Sequence, residues 1–188
     1  MINKIIIIGG SAGSLSAVLQ LVEKCPTDFE PPFVIVVHRG KNDQNVLLDL
    51  LASRSKRPVI EVEHYDHLEN GNVYLAPTDY HLLVGTDHHL ELDLSEKVLY
   101  SRPSIDVSFI SFAKVFKENL IAVVLSGANE DGAKGAKEVI KHNGTVIVQD
   151  PNDADVDIMP LRTLKINPEI TKIVPSNDIL KTLTEASN

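Results

Sequence analysis

A serine stands in a glycine-rich turn directly after four isoleucines, in the segment "IIIIGGSAGS" at residues 5–14. Ser11 forms the pattern Gly-x-Ser-x-Gly with Gly9 and Gly13. This pattern is typical of a sharp turn from a strand into a helix that exposes the serine hydroxyl as a nucleophile. The free N–H groups at the start of the helix then face a developing oxyanion, and we expect the N–H of Ala12 to be the donor.

The same turn has two other interpretations. A plain glycine-rich connection is the commoner origin of so short a pattern. A loop of this kind also suits a nucleotide phosphate at the helix N-terminus. It does not match the dinucleotide fingerprint, because the sixth position of "GGSAGS" is Ser14. The turn alone therefore leaves a hydrolase, a nucleotide site and a structural turn open.

A nucleophilic serine needs a general base and a third group that orients the base. Of the seven histidines, His38 is the best placed, because it closes a run of β-branched residues. Asp131 follows the apolar run 121–125, and Asp150, which ends the next strand, is its rival. Taken singly, each residue could have a purely structural role: His38 as a histidine at a strand end, and the aspartates as helix caps. Taken together, they predict Ser11 as nucleophile, His38 as base and Asp131 as orienting residue.

The elements that must position these residues alternate between strands and helices. After the first strand, the first helix is predicted from four apolar residues at helical spacing: Leu15, Val18, Leu19 and Val22. Alternation with continuous apolar strands predicts an α/β fold with a doubly wound, mostly parallel sheet and helices on both faces. Residues 72–94 show shorter alternating pieces, which predict a short antiparallel hairpin region. Ligands bind at the carboxyl ends of such strands, so the three residues could meet there.

Length and composition bound the class of protein. The 188 residues contain no repeat or linker and predict one domain over residues 1–188. The net charge of −8 argues against a nucleic-acid partner, which would need a basic face. No apolar run approaches the ~20 residues of a membrane span, so we expect no membrane insertion. The single cysteine, Cys25, fits a cytoplasmic protein and is expected to pack at a helix end.

Two clusters of side chains have compositions that could suit a metal or a cofactor. His64 and His67 lie among acidic residues that could supply oxygen ligands: Glu61, Glu63, Asp66 and Glu69. Their spacing matches no zinc signature, and a solvated polar loop explains them. A second set has helical spacing and predicts core packing: Phe109, Phe112 and Phe116. We therefore predict no metal and no cofactor.

Six segments, in order, carry a resemblance to a known family: "IGGSAG", "VIVVH", "NVYLAPTDYHLLV", "RPSIDVSF", "LSGANEDGAKG" and "NGTVIVQD". The chain resembles the catalytic domain of chemotaxis receptor methylesterases, the CheB-type protein-glutamate methylesterases. The similarity spans roughly residues 3–183. It implies a doubly wound α/β fold with Ser11 as the nucleophile, His38 as the general base and Asp131 as the residue that orients it.

The resemblance also implies a function. Members of this family hydrolyse glutamate methyl esters on helical cytoplasmic regions of chemoreceptors, and some deamidate glutamine there. The expected partners are methylated chemoreceptor helices, with a receptor methyltransferase or a separate regulatory protein as further candidates. In two-domain members a receiver domain precedes the serine, whereas Ser11 stands close to Met1 here. We therefore expect a stand-alone catalytic module whose activity does not respond to a phosphodonor.

The sequence departs from the family pattern at several positions. Ala128 and Asn129 stand where the family usually has Met and Gly, in the loop expected to flank the oxyanion and to bind substrate. Residues 39–40 replace a proline-containing segment, and Asp155 and Asp157 replace small or aromatic residues. The departures at Ala128 and Asn129 are the main support for an alternative, in which the chain is a catalytically degenerate module that binds receptor helices or the methyltransferase.

Overall fold

The computed structural model describes residues 2–40 and 44–187. Its strands are β1 (Ile5–Gly10), β2 (Phe33–Val37), β3 (Val59–Glu61), β4 (Val73–Leu75), β5 (His81–Val84), β6 (Leu90–Asp93), β7 (Leu120–Val124), β8 (Thr145–Gln149) and β9 (Ile173–Val174). Its α-helices are α1 (Leu15–Lys24), α2 (Gln44–Arg54), α3 (Ile105–Phe116), α4 (Ala133–Lys141), α5 (Ile158–Ile166) and α6 (Ser176–Ser187). A short 3-10 helix, Lys117–Asn119, joins α3 to β7.

Seven strands form one parallel sheet in the order β3-β4-β2-β1-β7-β8-β9. Strand β1 lies inside the sheet, with Gly9 opposite Val36 on one side and Val124 on the other. The chain leaves β1 toward β2 and returns to its other side at β7, so the strand order reverses at β1. A separate antiparallel hairpin is formed by β5 and β6. The predicted doubly wound α/β fold with a hairpin region is confirmed.

One detail of the hairpin prediction is wrong. Strand β4 lies within the segment predicted as antiparallel hairpins, yet it inserts in parallel between β2 and β3 of the main sheet. Its three residues are all buried. In a strand of three residues, the alternation of apolar and polar side chains is too short to distinguish a buried parallel strand from a hairpin strand. No helix lies between β3 and β4 to indicate a parallel crossover.

The core lies on both faces of the main sheet, because successive side chains of a strand point in opposite directions. Ile5 and Ile7 pack on one face with α3, α4 and α5, and Ile6 and Ile8 pack on the other with α1, α2 and α6. Phe109, Phe112 and Phe116 of α3 are buried in the first of these layers, as predicted. All four isoleucines of β1 are fully buried, so the strand that leads to Ser11 is fixed from every side.

Helix α1 is confirmed, but two of the four residues whose spacing predicts it are not buried, since Leu15 is exposed and Leu19 half-buried. Four of its residues are buried: Ala17, Val18, Leu21 and Val22. Leu15 is 47% exposed, because the helix begins at the edge of the sheet and its first turn extends beyond the core. Cys25 is buried directly after the helix, and burial raises the pKa of its thiol, as expected of a packing residue. In the described part of the chain, no helix is long and apolar enough to cross a membrane.

Candidate active site

The carboxyl ends of three adjacent strands, β2, β1 and β7, form the candidate site. Ser11 follows β1, His38 follows β2, and Asp131 lies in the loop that follows β7. The N–H of Ser11 donates to the carbonyl of Ser126 beyond β7 (2.9 Å), and the N–H of His38 donates to the carbonyl of Gly10 (3.1 Å). The three strands are adjacent because the strand order reverses at β1, and parallel strands place their carboxyl ends at one edge of the sheet.

The serine turn depends on glycine at two positions. Gly13 has a φ of +79°, and a Cβ added there would lie 2.6 Å from the Ser126 hydroxyl oxygen. A Cβ at Gly10 would lie 2.6 Å from the side chain of Ser14. A larger residue at either position would push the turn away from its neighbours. The turn leaves Ser11 half-buried and Ala12 exposed.

Asp131 is fully buried against the N-terminus of α3. Its Oδ1 accepts hydrogen bonds from the Ser104 hydroxyl and the Asp106 N–H, both at 2.9 Å. Its Oδ2 accepts from the Ile105 N–H at 2.7 Å and lies 2.8 Å from His38 Nε2. The first N–H groups of a helix have no partner within the helix, so a carboxylate there is well stabilised.

These contacts determine the ionisation of Asp131 and the tautomer of His38. Burial acts to raise the pKa of Asp131, but the hydrogen bonds from His38, Asp106 and Ile105 outweigh it and hold that pKa below its ordinary value. An ionised carboxylate can only accept, so the proton on the His38 ring lies on Nε2. Nδ1 is then the nitrogen with a free electron pair, and the Ser101 hydroxyl donates to it over 3.4 Å.

Ser11 and His38 line the same cleft between α1 and α2, whose walls are otherwise mainly apolar: Leu15, Val18, Leu47 and Leu50. Within the part of the chain that the structure describes, the Ser11 hydroxyl forms no hydrogen bond with His38. Proton-transfer contacts of this kind are often long before substrate binds and tighten in the complex. The geometry therefore brings His38 and Asp131 into contact and Ser11 to the same cleft.

Ala12 and Ala128, predicted at the oxyanion, are both exposed at this edge. Across residues 2–40 and 44–187, neither backbone N–H donates a hydrogen bond, so both are available to an oxyanion. Asn129, a departure from the family pattern, accepts a hydrogen bond from the N–H of Asp131 through its side chain (3.1 Å). An asparagine shaping a turn in this way is a common local motif. This departure therefore helps to hold Asp131.

The rival candidate Asp150 and the two acidic departures from the family pattern lie between β8 and α5. The side chain of Asp150, the rival of Asp131, accepts from the N–H of Asn152 (2.8 Å) in the turn after β8. Asp155 packs beside Gly13, where its Cβ would lie 2.7 Å from an added Cβ. Asp157 precedes α5 without capping it through its side chain.

The histidine cluster also has local partners. His64 Nδ1 accepts from the N–H of Leu92 (3.1 Å), and His67 forms an isolated bridge with His89. Among the residues described, no group of histidine, cysteine or acidic side chains could hold a metal ion. Arg39, next to His38, pairs with the carboxylate of Glu61.

Sequence reasoning missed a buried layer behind Asp131. His81 accepts from the N–H of Ser104 through Nδ1 (3.1 Å) and donates from Nε2 to the carbonyl of Glu96 (3.0 Å). Asp106 accepts from the N–H of Gly135 in α4 (2.7 Å). A serine before a helix signals the cap at Ser104. Nothing in the sequence pattern marks the contacts of His81 or Asp106, because both reach across elements.

The buried Asp106 gives a testable pH dependence. Burial, together with the nearby charge of Asp131, raises the pKa of Asp106 to about 6 from 3.8, although the Gly135 N–H opposes the shift. The folded state then binds more protons than the unfolded state between these values, so stability falls as the pH rises through that window. Relative to the parent protein, the unfolding free energy of Asp106→Asn should therefore rise by about 2 kcal/mol between pH 4 and pH 7.5.

Urea denaturation of both proteins at the two pH values measures this difference. Asp49→Asn, which changes an exposed aspartate on α2, is the matched control for loss of one charge. An unfolding free-energy difference between Asp106→Asn and the parent that stays the same at pH 4 and pH 7.5 would show that Asp106 ionises normally.

Comparisons with known proteins identify the family of the chain. The family model described as CheB methylesterase matches residues 6–183. A protein of Leptospira interrogans is 39% identical over 155 residues, which are 82% of this chain and 80% of that protein. A protein-glutamate methylesterase/protein-glutamine glutaminase of Thermotoga maritima is 34% identical over 161 residues, 84% of this chain and 47% of that protein.

The solved structures give the same result for the fold. The crystal structure of the Thermotoga maritima CheB methylesterase catalytic domain superposes with a TM-score of 0.93 at 31% identity. The match covers 98% of this chain and 99% of that one. With a family match over most of its length and the same fold throughout, this chain belongs to the CheB methylesterase family.

Proposed function

We propose that this chain is a serine hydrolase that removes methyl esters from glutamate side chains of proteins. The observation that carries the proposal is the 2.8 Å contact between His38 and the buried Asp131, at the strand edge that presents Ser11. A histidine oriented by a buried carboxylate next to an exposed serine is the arrangement that activates a serine hydroxyl. Relatives named as protein-glutamate methylesterases support the choice of substrate.

The reaction takes two steps. The Ser11 hydroxyl attacks the ester carbonyl while His38 takes its proton at Nδ1, and the N–H groups of Ala12 and Ala128 stabilise the oxyanion. The tetrahedral intermediate expels methoxide, which takes the proton from His38 and leaves as methanol. Water then attacks the acyl-enzyme with His38 as base again, which releases the glutamate carboxylate and restores Ser11. With a glutamine substrate the same steps release ammonia instead.

We further propose that residues 1–188 act as one catalytic domain in the cytoplasm, on methylated cytoplasmic helices of chemoreceptors. One feature supports the substrate class and another supports the single domain. The cleft beside Ser11 is open and mainly apolar, so a side chain projecting from the surface of a helix can enter it. The two core layers share the same central sheet, which supports one folding unit.

The proposal is tested by methanol release from a purified, methylated receptor cytoplasmic fragment. We expect time-dependent methanol release by the wild-type chain and covalent labelling of Ser11 by a fluorophosphonate probe, because only an activated serine reacts. If the probe labels Ser11 but no methylated receptor fragment releases methanol, Ser11 is an activated nucleophile and the proposed substrate is wrong. Absence of both would support the degenerate binding module.

A further inference from the structure

Ser14 is buried (2% exposed) at the start of α1, three residues after Ser11. A serine at this position usually accepts a hydrogen bond from an N–H of the next helical turn. The Ser14 side chain makes no such bond. Its hydroxyl donates instead to the carbonyl of Ser11 at 2.7 Å, and its N–H donates to the same carbonyl at 3.0 Å.

These two hydrogen bonds fix the peptide group between Ser11 and Ala12. A peptide group is planar and trans, so its N–H points opposite to its C=O. A carbonyl held from one side by Ser14 therefore directs the N–H of Ala12 the other way, out of the turn. Ala12 is exposed there, and its N–H is the oxyanion donor of the proposed mechanism.

The neighbouring peptide groups are held by a different residue. Ser126 accepts from the N–H of Ser11 through its carbonyl (2.9 Å) and donates from its hydroxyl to the carbonyl of Ala12 (2.8 Å). In the described residues, the hydrogen bonds to the carbonyl of Ser11 come from Ser14 alone. Ser14 thus holds the peptide group whose N–H is the oxyanion donor of the proposed mechanism.

The packing around Ser14 leaves little room for another arrangement. A Cβ at Gly10 would lie 2.6 Å from both the Cβ and the hydroxyl oxygen of Ser14, so the side chain is seated directly on the strand end. We propose that the Ser14 hydroxyl is a positioning group that orients the N–H of Ala12 toward the oxyanion. This inference rests on the proposed function, because it assigns a part of the same site.

Ser14→Ala removes the hydroxyl and keeps the Cβ. We expect kcat for methanol release to fall about tenfold with KM unchanged within twofold. The fall is smaller than the 10²–10³ typical of deleting a whole oxyanion donor, because the Ala12 N–H remains but is less well aligned. Inhibition by an alkylboronic acid, which forms a tetrahedral adduct with the serine, should weaken by the same factor. Ser16→Ala, an exposed serine of the same helix, is the matched control and should stay within twofold of wild type.

Two outcomes would overturn the assignment: a Ser14→Ala kcat within twofold of wild type, or a lowered kcat with unchanged boronate affinity. The pH profile provides a further check. It should not shift, because the His38–Asp131 pair is untouched. If wild type releases no methanol but its Ser11 reacts with the fluorophosphonate, the methylesterase proposal fails. The labelling rate of Ser14→Ala then still tests the role of Ser14, with a tenfold slower reaction expected.

Discussion

Ser11→Ala is expected to lower the rate of methanol release on the order of 10⁶-fold, since loss of the nucleophile of a triad leaves only the small catalysis supplied by the rest of the site. The fold should be unaffected. Ser11 is held through its backbone, by its N–H to Ser126 and its carbonyl to Ser14, and both contacts survive in alanine.

The measurement is initial methanol release from a methylated receptor fragment, with Ser16→Ala as the control for serine replacement in this region. Thermal unfolding monitored by circular dichroism establishes that the variant is folded. Activity of Ser11→Ala within tenfold of wild type would mean that another group attacks the ester.

Asp131→Asn should lower kcat by about 10⁴-fold, the size of effect seen when a triad loses its orienting carboxylate. An amide NH₂ in place of one carboxylate oxygen cannot accept the Nε2 proton of His38, so the imidazole adopts the other tautomer and Nδ1 can no longer take a proton. KM should change little, because Asp131 is fully buried and does not touch the cleft.

The same variant should be less stable at neutral pH. The lowered pKa of Asp131 contributes stability above its unfolded-state value of 3.8, and this stability is lost as the pH falls through the folded-state pKa. Asp150→Asn, the other aspartate that follows a strand end, is the matched control and should retain activity. Urea denaturation identifies the conditions in which both variants are folded. Measuring kcat only in those conditions separates the loss of activity from the loss of stability. Full activity in folded Asp131→Asn would remove Asp131 from the mechanism.

The positions of the candidate site residues could be predicted because each follows an apolar run. Runs such as "IIIIGG" and "FVIVVH" must be strands buried on both faces, and parallel strands place their carboxyl ends at one edge. Periodicity could not separate Asp131 from Asp150, since both follow strands. Tertiary structure decides between them: α3 directs its N-terminus at Asp131, whereas Asp150 serves its own turn.

Contacts between distant elements were beyond sequence reasoning. The exposed Leu15 has the spacing of a core residue, and only the position of α1 over the sheet edge shows that it borders the cleft. In the sequence, Asp106 looks like an ordinary acidic residue of the first helical turn, and nothing indicates that its carboxyl is buried. Asn129 was interpreted as a defect because the family pattern differs there, whereas its side chain contacts the backbone of Asp131.

The strand order also determines when the site can form during folding. Strand β1 has Leu120 of β7 as the partner of Ile5, and the His38–Asp131 contact joins residues 93 positions apart. Such contacts require closure of long loops before they return any stabilisation, which slows folding. During synthesis, the isoleucines of β1 leave the ribosome long before β7 exists to cover one edge of that strand. The nascent chain therefore carries an apolar, unpaired strand edge until β7 has been made, and this edge is where we expect chaperones to bind and aggregation to begin.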